Sequence, residues 1–249
     1  MTTPESEQLN RQLEHLRLPS IRHDYEGMAK QAATQGWSHV DYLSRLIESE
    51  VESREIRSIE RRIRQARFPM RKTVEDFQWS WAKKINRTQI QNLLRLTFLE
   101  SHTNIIFIGH VGLGKTHLAI AIGYAACLQG YSVLFTTAVE IINTLAAAQV
   151  TGSLKRELQR YLKPDLVIVD ELGYLPIDKQ GADLLFQIIS QRYERASTIL
   201  TTNRAYKQWP PIFNNDSTLT SAILDRLLHH AETVVIEGKS FRMKDEIEI

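Results

Sequence analysis

The chain has 249 residues, 43% hydrophobic and 24% charged, and a formal net charge of +2 at neutral pH. Those proportions exclude a disordered or fibrous polymer, and the length suits one sizeable α/β domain with a smaller appendage, since domains commonly run ~100–200 residues. The opening MTTPESEQLNRQLEHL has neither a signal nor a transit layout, and no apolar run nears the roughly 20 residues that span a bilayer, so a cytoplasmic location without membrane contact is expected.

Residues 5–66 read as helical, with breaks expected at Pro19, which pushes the preceding residue out of the helical region, and near Gly36, where Ser38 offers an N-cap. At least three helices therefore precede Pro69. Leu43, Leu46, Ile47 and Val51, followed by Ile56, Ile59 and Ile63, recur at spacings that suit one buried stripe. From Arg54 to Lys72 the basic residues Arg54, Arg57, Arg61, Arg62, Arg64, Arg67, Arg71 and Lys72 face only Glu55 and Glu60. The segment FPMRKTVEDFQWSWAKKIN mixes proline, aromatics and charge without periodicity, and a helix follows from Thr88, marked by Ile90, Leu93, Leu94 and Leu96. The expected organisation is a small all-helical N-terminal domain over 1–68, a connecting segment and helix over 69–103, and a core over 104–249.

In the core, apolar runs alternate with amphipathic helical stretches. Strands are predicted at 104–109, 132–137, 166–171, 197–203 and 233–238, each nearly continuous in apolar character, as in a mostly parallel sheet covered on both faces. Cys127 falls among apolar residues of a predicted helix and reads as a core residue, with no partner for an internal disulfide. The histidines are scattered, and His229 with His230 lacks a third nearby ligand.

GHVGLGKT, comprising Gly109, His110, Val111, Gly112, Leu113, Gly114, Lys115 and Thr116, matches G-x-x-x-x-G-K-[ST] between a strand and a helix. Such a loop lets consecutive N–H groups approach phosphates at the positive end of a helix, with Lys115 adding charge and Thr116 a hydroxyl for Mg²⁺. LVIVDE ends a strand in Asp170 and Glu171, placed to hold Mg²⁺ and to polarise the attacking water respectively. STILTTN ends in Asn203, a candidate contact to the γ-phosphate or water, or simply a turn residue at a strand end. Arg226 lies among leucines in TSAILDRLLHHAE and needs a partner, either Asp225 or a phosphate on a neighbouring subunit.

In this order the parts resemble an AAA+ P-loop ATPase of the initiator and helicase-loader group. FIGHVGLGKTHLAIAIG, YLKPDLVIVDELGYLPID, GADLLFQIISQRYERASTILTTNRAYKQW and LDRLLHHAETVVIEGKSFRMK together resemble the IstB-like family of transposase helpers, related to the helicase loader DnaC, over nearly the whole chain. The resemblance implies that Lys115 and Thr116 are Walker A residues, Asp170 and Glu171 Walker B, Asn203 sensor 1 and Arg226 the finger acting on a neighbour's site. Arg192, Arg195, Arg204 and Arg242 are alternatives for that finger, and Arg242 is either a sensor-like cation at the nucleotide or a salt-bridged terminal residue. It also implies ATP and Mg²⁺ as cofactors, a sheet order of 5-1-4-3-2, homo-oligomers, duplex DNA bound with little sequence specificity, and a cognate transposase that triggers slow hydrolysis. About a dozen residues follow the last predicted strand, too few for the helical lid of many AAA+ proteins.

For phosphate contacts the candidates are Arg57, Arg61 and Arg64 in one basic segment and Lys155, Arg156 and Arg160 in GSLKRELQRYLK. Charge alone also fits a solvated face. Two other functions compete: a replicative helicase loader, and a small-molecule P-loop kinase, which the DE strand end and polar sensor strand disfavour.

Overall fold

The computed structural model describes residues 4–82, 84–238, 240 and 241. Spatial proximity divides the chain into two units that part between Arg61 and Arg62.

The first unit is built from α1 (Pro4–His15), α2 (Pro19–Gln35) and most of α3 (His39–Ala66). The break expected at Pro19 is present: Leu18 lies outside the helical region at φ −111° and ψ 64°, and Pro19 sits at the start of α2, where its missing N–H would have had no helical partner. The chain reverses just before it, at Arg17, whose φ is 56°. Gly36, at φ 67°, ends α2 and returns its N–H to the Ala32 carbonyl. Ser38 starts α3 as expected, its Oγ accepting from the Asp41 N–H at 3.1 Å and donating to Asp41 Oδ2 at 2.7 Å. The core here is small, with Leu13, Ile21 and Leu46 buried beside Leu18, Tyr25, Met28 and Tyr42.

Glu50 is buried on α3 and accepts from the N–H groups of Ser20 and Ile21 at 2.9 and 3.3 Å, satisfying the start of α2 from another helix. The same carboxylate holds Arg54 and Arg57 at 2.9 and 3.3 Å. Burial alone would raise the Glu50 pKa, but the hydrogen bonds from Arg54, Ser20 and Ile21 outweigh it and hold the carboxyl below its usual range.

The second unit runs α4 (Arg87–Leu93), α5 (Thr97–Glu100), β1 (Asn104–Gly109), α6 (Lys115–Leu128), β2 (Val133–Thr137), α7 (Ala138–Val150), α8 (Leu154–Leu162), β3 (Leu166–Leu172), α9 (Lys179–Arg192), β4 (Ser197–Thr202), α10 (Ser217–Leu228) and β5 (Ala231–Ile236). All strand pairings are parallel, in the order β2-β3-β4-β1-β5. Read from the other edge this is the 5-1-4-3-2 order that the resemblance implied. The last strand starts two positions earlier than its apolar run predicted. Asn104 donates its N–H to the His230 carbonyl at 2.8 Å, so pairing with β1 begins at Ala231.

Strand residues alternate between two cores. Ile105, Phe107, Ile168 and Ile199 pack with Leu118 and Ile122 of α6 and Ile90 of α4 on one face. Ile106, Val167 and Leu200 pack with Ile141 of α7, Leu185 of α9 and Ile223 of α10 on the other. Cys127 is fully buried in the first core, and burial, only partly opposed by Arg62, pushes its thiol up to about 11. Among the described residues no further α-helix or strand follows β5, and no helix is long and apolar enough to cross a membrane.

Candidate nucleotide-binding site

β1 ends at Gly109 and α6 begins at Lys115, so the glycine-rich loop joins a strand's carboxyl end to the positive end of a helix. Gly112 and Gly114 have φ of 78° and 87°, where side chains are strained, and a Cβ at Gly114 would come within 2.5 Å of the Phe77 ring. Lys115 Nζ donates to the Gly109 and His110 carbonyls at 2.7 and 2.8 Å, which keeps the ammonium over the loop.

The two halves of the predicted site meet directly. Thr116 Oγ1 donates to Asp170 Oδ1 and Oδ2 at 2.9 and 3.1 Å. Thr201, on β4, donates its hydroxyl to Asp170 Oδ1 at 2.5 Å and accepts from the Glu171 N–H at 3.0 Å. The β3–β4 pairing is irregular between Val169 and Leu172, and Glu171 has a φ of 62°. This local break lets adjacent carboxylates diverge: Asp170 is buried and Glu171 is exposed to the cavity. Asn203, one residue beyond β4, lines that cavity too.

The cavity measures about 560 Å³, within the usual range for small-molecule sites. Val111 to His117, Glu171, Thr201 and Asn203 form one side, and Pro69, Met70, Phe77, Trp81 and Phe241 contribute an apolar and aromatic wall. The aperiodic connecting segment therefore has a structural role. His117 Nε2 lies 2.7 Å from the Thr73 carbonyl oxygen, and the Phe77 ring meets His117 and Trp79 edge-on at 5.4 and 4.9 Å. Sequence reasoning missed this wall, and it missed Thr201. The cluster FQWSW and the first threonine of TTN were the available signals.

The arginines separate clearly. Arg192 is 2% exposed and donates to the carbonyls of Tyr161, Pro164, Asp165 and Ser197 and to Thr198 Oγ1. Burial, only partly opposed by Asp165, lowers its pKa to about 10. It is a framework residue and cannot reach another subunit. Arg226 does not use Asp225: its guanidinium lies 4.9 Å over the Phe186 ring and donates to the Ala222 carbonyl at 3.0 Å. It does not line this chain's own cavity. Arg195 and Arg204 are exposed, and Arg242 lies outside the described residues.

Of the phosphate-contact candidates, Arg57 is committed to Glu50 and the Ser53 carbonyl, Arg61 reaches Ser58 Oγ at 3.4 Å, and Arg64 is exposed. On α8, Lys155 and Arg156 are exposed, Arg156 lies 3.4 Å from Glu157, and Arg160 lies over the Tyr161 ring.

Known proteins share this architecture. The chain is similar to an ATP-binding protein of insertion sequence IS5376 from Geobacillus stearothermophilus, with 38% identity over 96% of this chain and 95% of that one. A counterpart from insertion sequence IS232 of Bacillus thuringiensis is 41% identical over 96% and 95%. Among solved structures, AMPPCP-bound DnaA from Aquifex aeolicus covers 71% of this chain and 55% of its own, with TM-score 0.56 and 24% identity. The DnaC helicase loader covers 60% and 87%, with TM-score 0.52 and 24% identity. At those identities the two structures share the fold alone. The family profile described as IstB-like ATP binding protein matches residues 11–248. With a phosphate loop, an Asp-Glu strand end and a five-stranded parallel AAA+ sheet in one unit, the chain belongs to the IstB-like ATP-binding protein family.

Proposed function

We propose that this protein is the ATP-dependent, DNA-binding helper of an insertion-sequence transposase. ATP joins copies of it on duplex DNA in the cytoplasm, the assembly engages the transposase, and that contact triggers slow hydrolysis to ADP and phosphate. One observation carries the reading: Thr116, Asp170, Thr201 and Glu171 form one hydrogen-bonded run beside the phosphate loop, yet no arginine is among the described residues that line the cavity. The cations there are Lys72 and Lys115. A site of this class needs a further cation for charge developing on the transferred phosphoryl group. A neighbouring copy's Arg226 is the candidate, which links assembly to nucleotide binding.

The Thr116 hydroxyl and Asp170 carboxylate are hard oxygen donors 2.9 Å apart, a fit for Mg²⁺. When bound, Mg²⁺ supplies positive charge to the β- and γ-phosphates. Lys115 holds the phosphates, and the aromatic wall shields the rest of the nucleotide. Glu171 accepts a proton from the attacking water, and Asn203 orients that water or the γ-phosphate. Residues 1–68 serve subunit or partner contact, followed by the connecting segment over 69–103 and the ATPase core over 104–249. Arg61 and Arg64, with Lys155, Arg156 and Arg160, supply sequence-independent DNA contacts, and Arg57 joins them by leaving Glu50.

The test is DNA binding by the full chain with ATP, ADP or no nucleotide, on duplex and single-stranded DNA. Assembly on duplex should require ATP, fail in Lys115→Ala and persist longer in Glu171→Gln. Equal binding without nucleotide, or a strict preference for single strands, overturns the proposal. Co-purification with a hexameric helicase instead of a transposase would move it to a helicase loader.

A further inference from the structure

We propose that Glu194, His229 and His230 form a binding site for a divalent transition metal of the zinc type, separate from the nucleotide cavity. His229 Nδ1 and His230 Nε2 each lie 3.7 Å from Glu194 Oε1, and the three ligand atoms all lie within 4.8 Å of one another. Metal bonds of about 2.0–2.2 Å place tetrahedral ligands roughly 3.4 Å apart, so side-chain rotation closes the triad around one ion. Two imidazoles and a carboxylate are a donor set that suits zinc and leaves a coordination position to water. The side chains are 52–54% exposed, so an ion reaches them from solvent. None of the three residues lines the nucleotide cavity.

The turns beneath the site are held by buried polar side chains. Glu194 sits in the turn after α9, which buried Arg192 anchors through the Ser197 carbonyl at 2.6 Å and the Tyr161 and Pro164 carbonyls at 2.9 Å. The histidines occupy the turn between α10 and β5, which Asn104 ties down through the His230 carbonyl at 2.8 Å and the Leu227 carbonyl at 3.1 Å. Both turns are thus fixed before any ion arrives, which lowers the ordering cost of binding. The Tyr193 hydroxyl lies 2.8 Å from His229 Nδ1, and a metal at that nitrogen displaces this contact and leaves the phenol beside the open position. An occupied site ties the turn after α9 to the end of α10, the helix that carries Arg226.

Chelator-treated full-length protein, with excess Mg²⁺ to occupy oxygen-rich sites, is titrated with Co²⁺ and then Zn²⁺. Visible absorption and calorimetry should report one equivalent of Co²⁺, displaced by Zn²⁺. His229→Ala/His230→Ala should lose the absorption, and Glu194→Gln should weaken binding at least about tenfold. Far-UV circular dichroism and ATP binding confirm that these exposed variants fold. Absence of the absorption in the wild type, its survival in the double variant, or unchanged affinity in Glu194→Gln overturns the assignment.

Discussion

The two ends of the central sheet use polar side chains for opposite purposes. At the amino ends of the strands, Arg192 and Asn104 are buried and their polar atoms are bound to backbone and neighbouring side chains. At the carboxyl ends, Thr116, Asp170 and Thr201 bond to one another beside a cavity, and Glu171 and Lys115 remain able to meet a ligand. Saturated polar groups in a dry interior hold architecture, whereas partly solvated ones can exchange a protein contact for a phosphate or a water. Arg192 and Arg226, both in the last turn of a helix, divide along the same line.

Arg192→Met should break this contrast most severely. It strands several buried carbonyl oxygens at once and should cost on the order of 4 kcal/mol, seen as an earlier midpoint in urea denaturation. An unchanged midpoint would remove the framework role given to it.

Thr201→Val sharpens the comparison at the other end. The isosteric change removes the bond to Asp170 and the acceptor for the Glu171 N–H, so it should cost about 1–2 kcal/mol. Hydrolysis should slow about tenfold while ATP affinity holds, because the phosphate loop is intact. Equal losses in hydrolysis and ATP affinity would mean that Thr201 supports the loop itself.

The smallest effect is expected in the helical unit. Glu50 has a lowered pKa in the folded chain, so its contribution is fully present above the unfolded value of about 4.3 and is lost as pH falls through the lower folded value. Glu50→Gln should cost about 1 kcal/mol at neutral pH and flatten that acid-side decline. Denaturation midpoints between pH 3 and pH 6 test this, and parallel pH curves for the two proteins would exclude Glu50 as their source.

Much of the candidate nucleotide site was legible in the sequence because its parts are local. A glycine pattern between a strand and a helix, and two carboxylates at the end of an apolar run, follow from backbone sterics and strand burial within a few residues of each other. The connecting segment was not legible, because it has no repeat of its own. Its place is set by Thr73 and Phe77 meeting His117, and by the Phe77 ring meeting Gly114. The break at Pro19 was legible for the same local reason: proline disfavours the helix before it, leaving Leu18 outside the helical region, and suits the first position of the next one.

The sequence by itself determined the fold class, the phosphate loop, the Asp170–Glu171 pair and the approximate position of every strand, since each depends on neighbours along the chain. Only the tertiary structure decided that Thr201 joins those carboxylates, that Arg192 is framework, and that Glu194 stands beside His229 and His230. Those relations join residues far apart in sequence, and they arise only when sheet order and the turns at its two ends bring the side chains together.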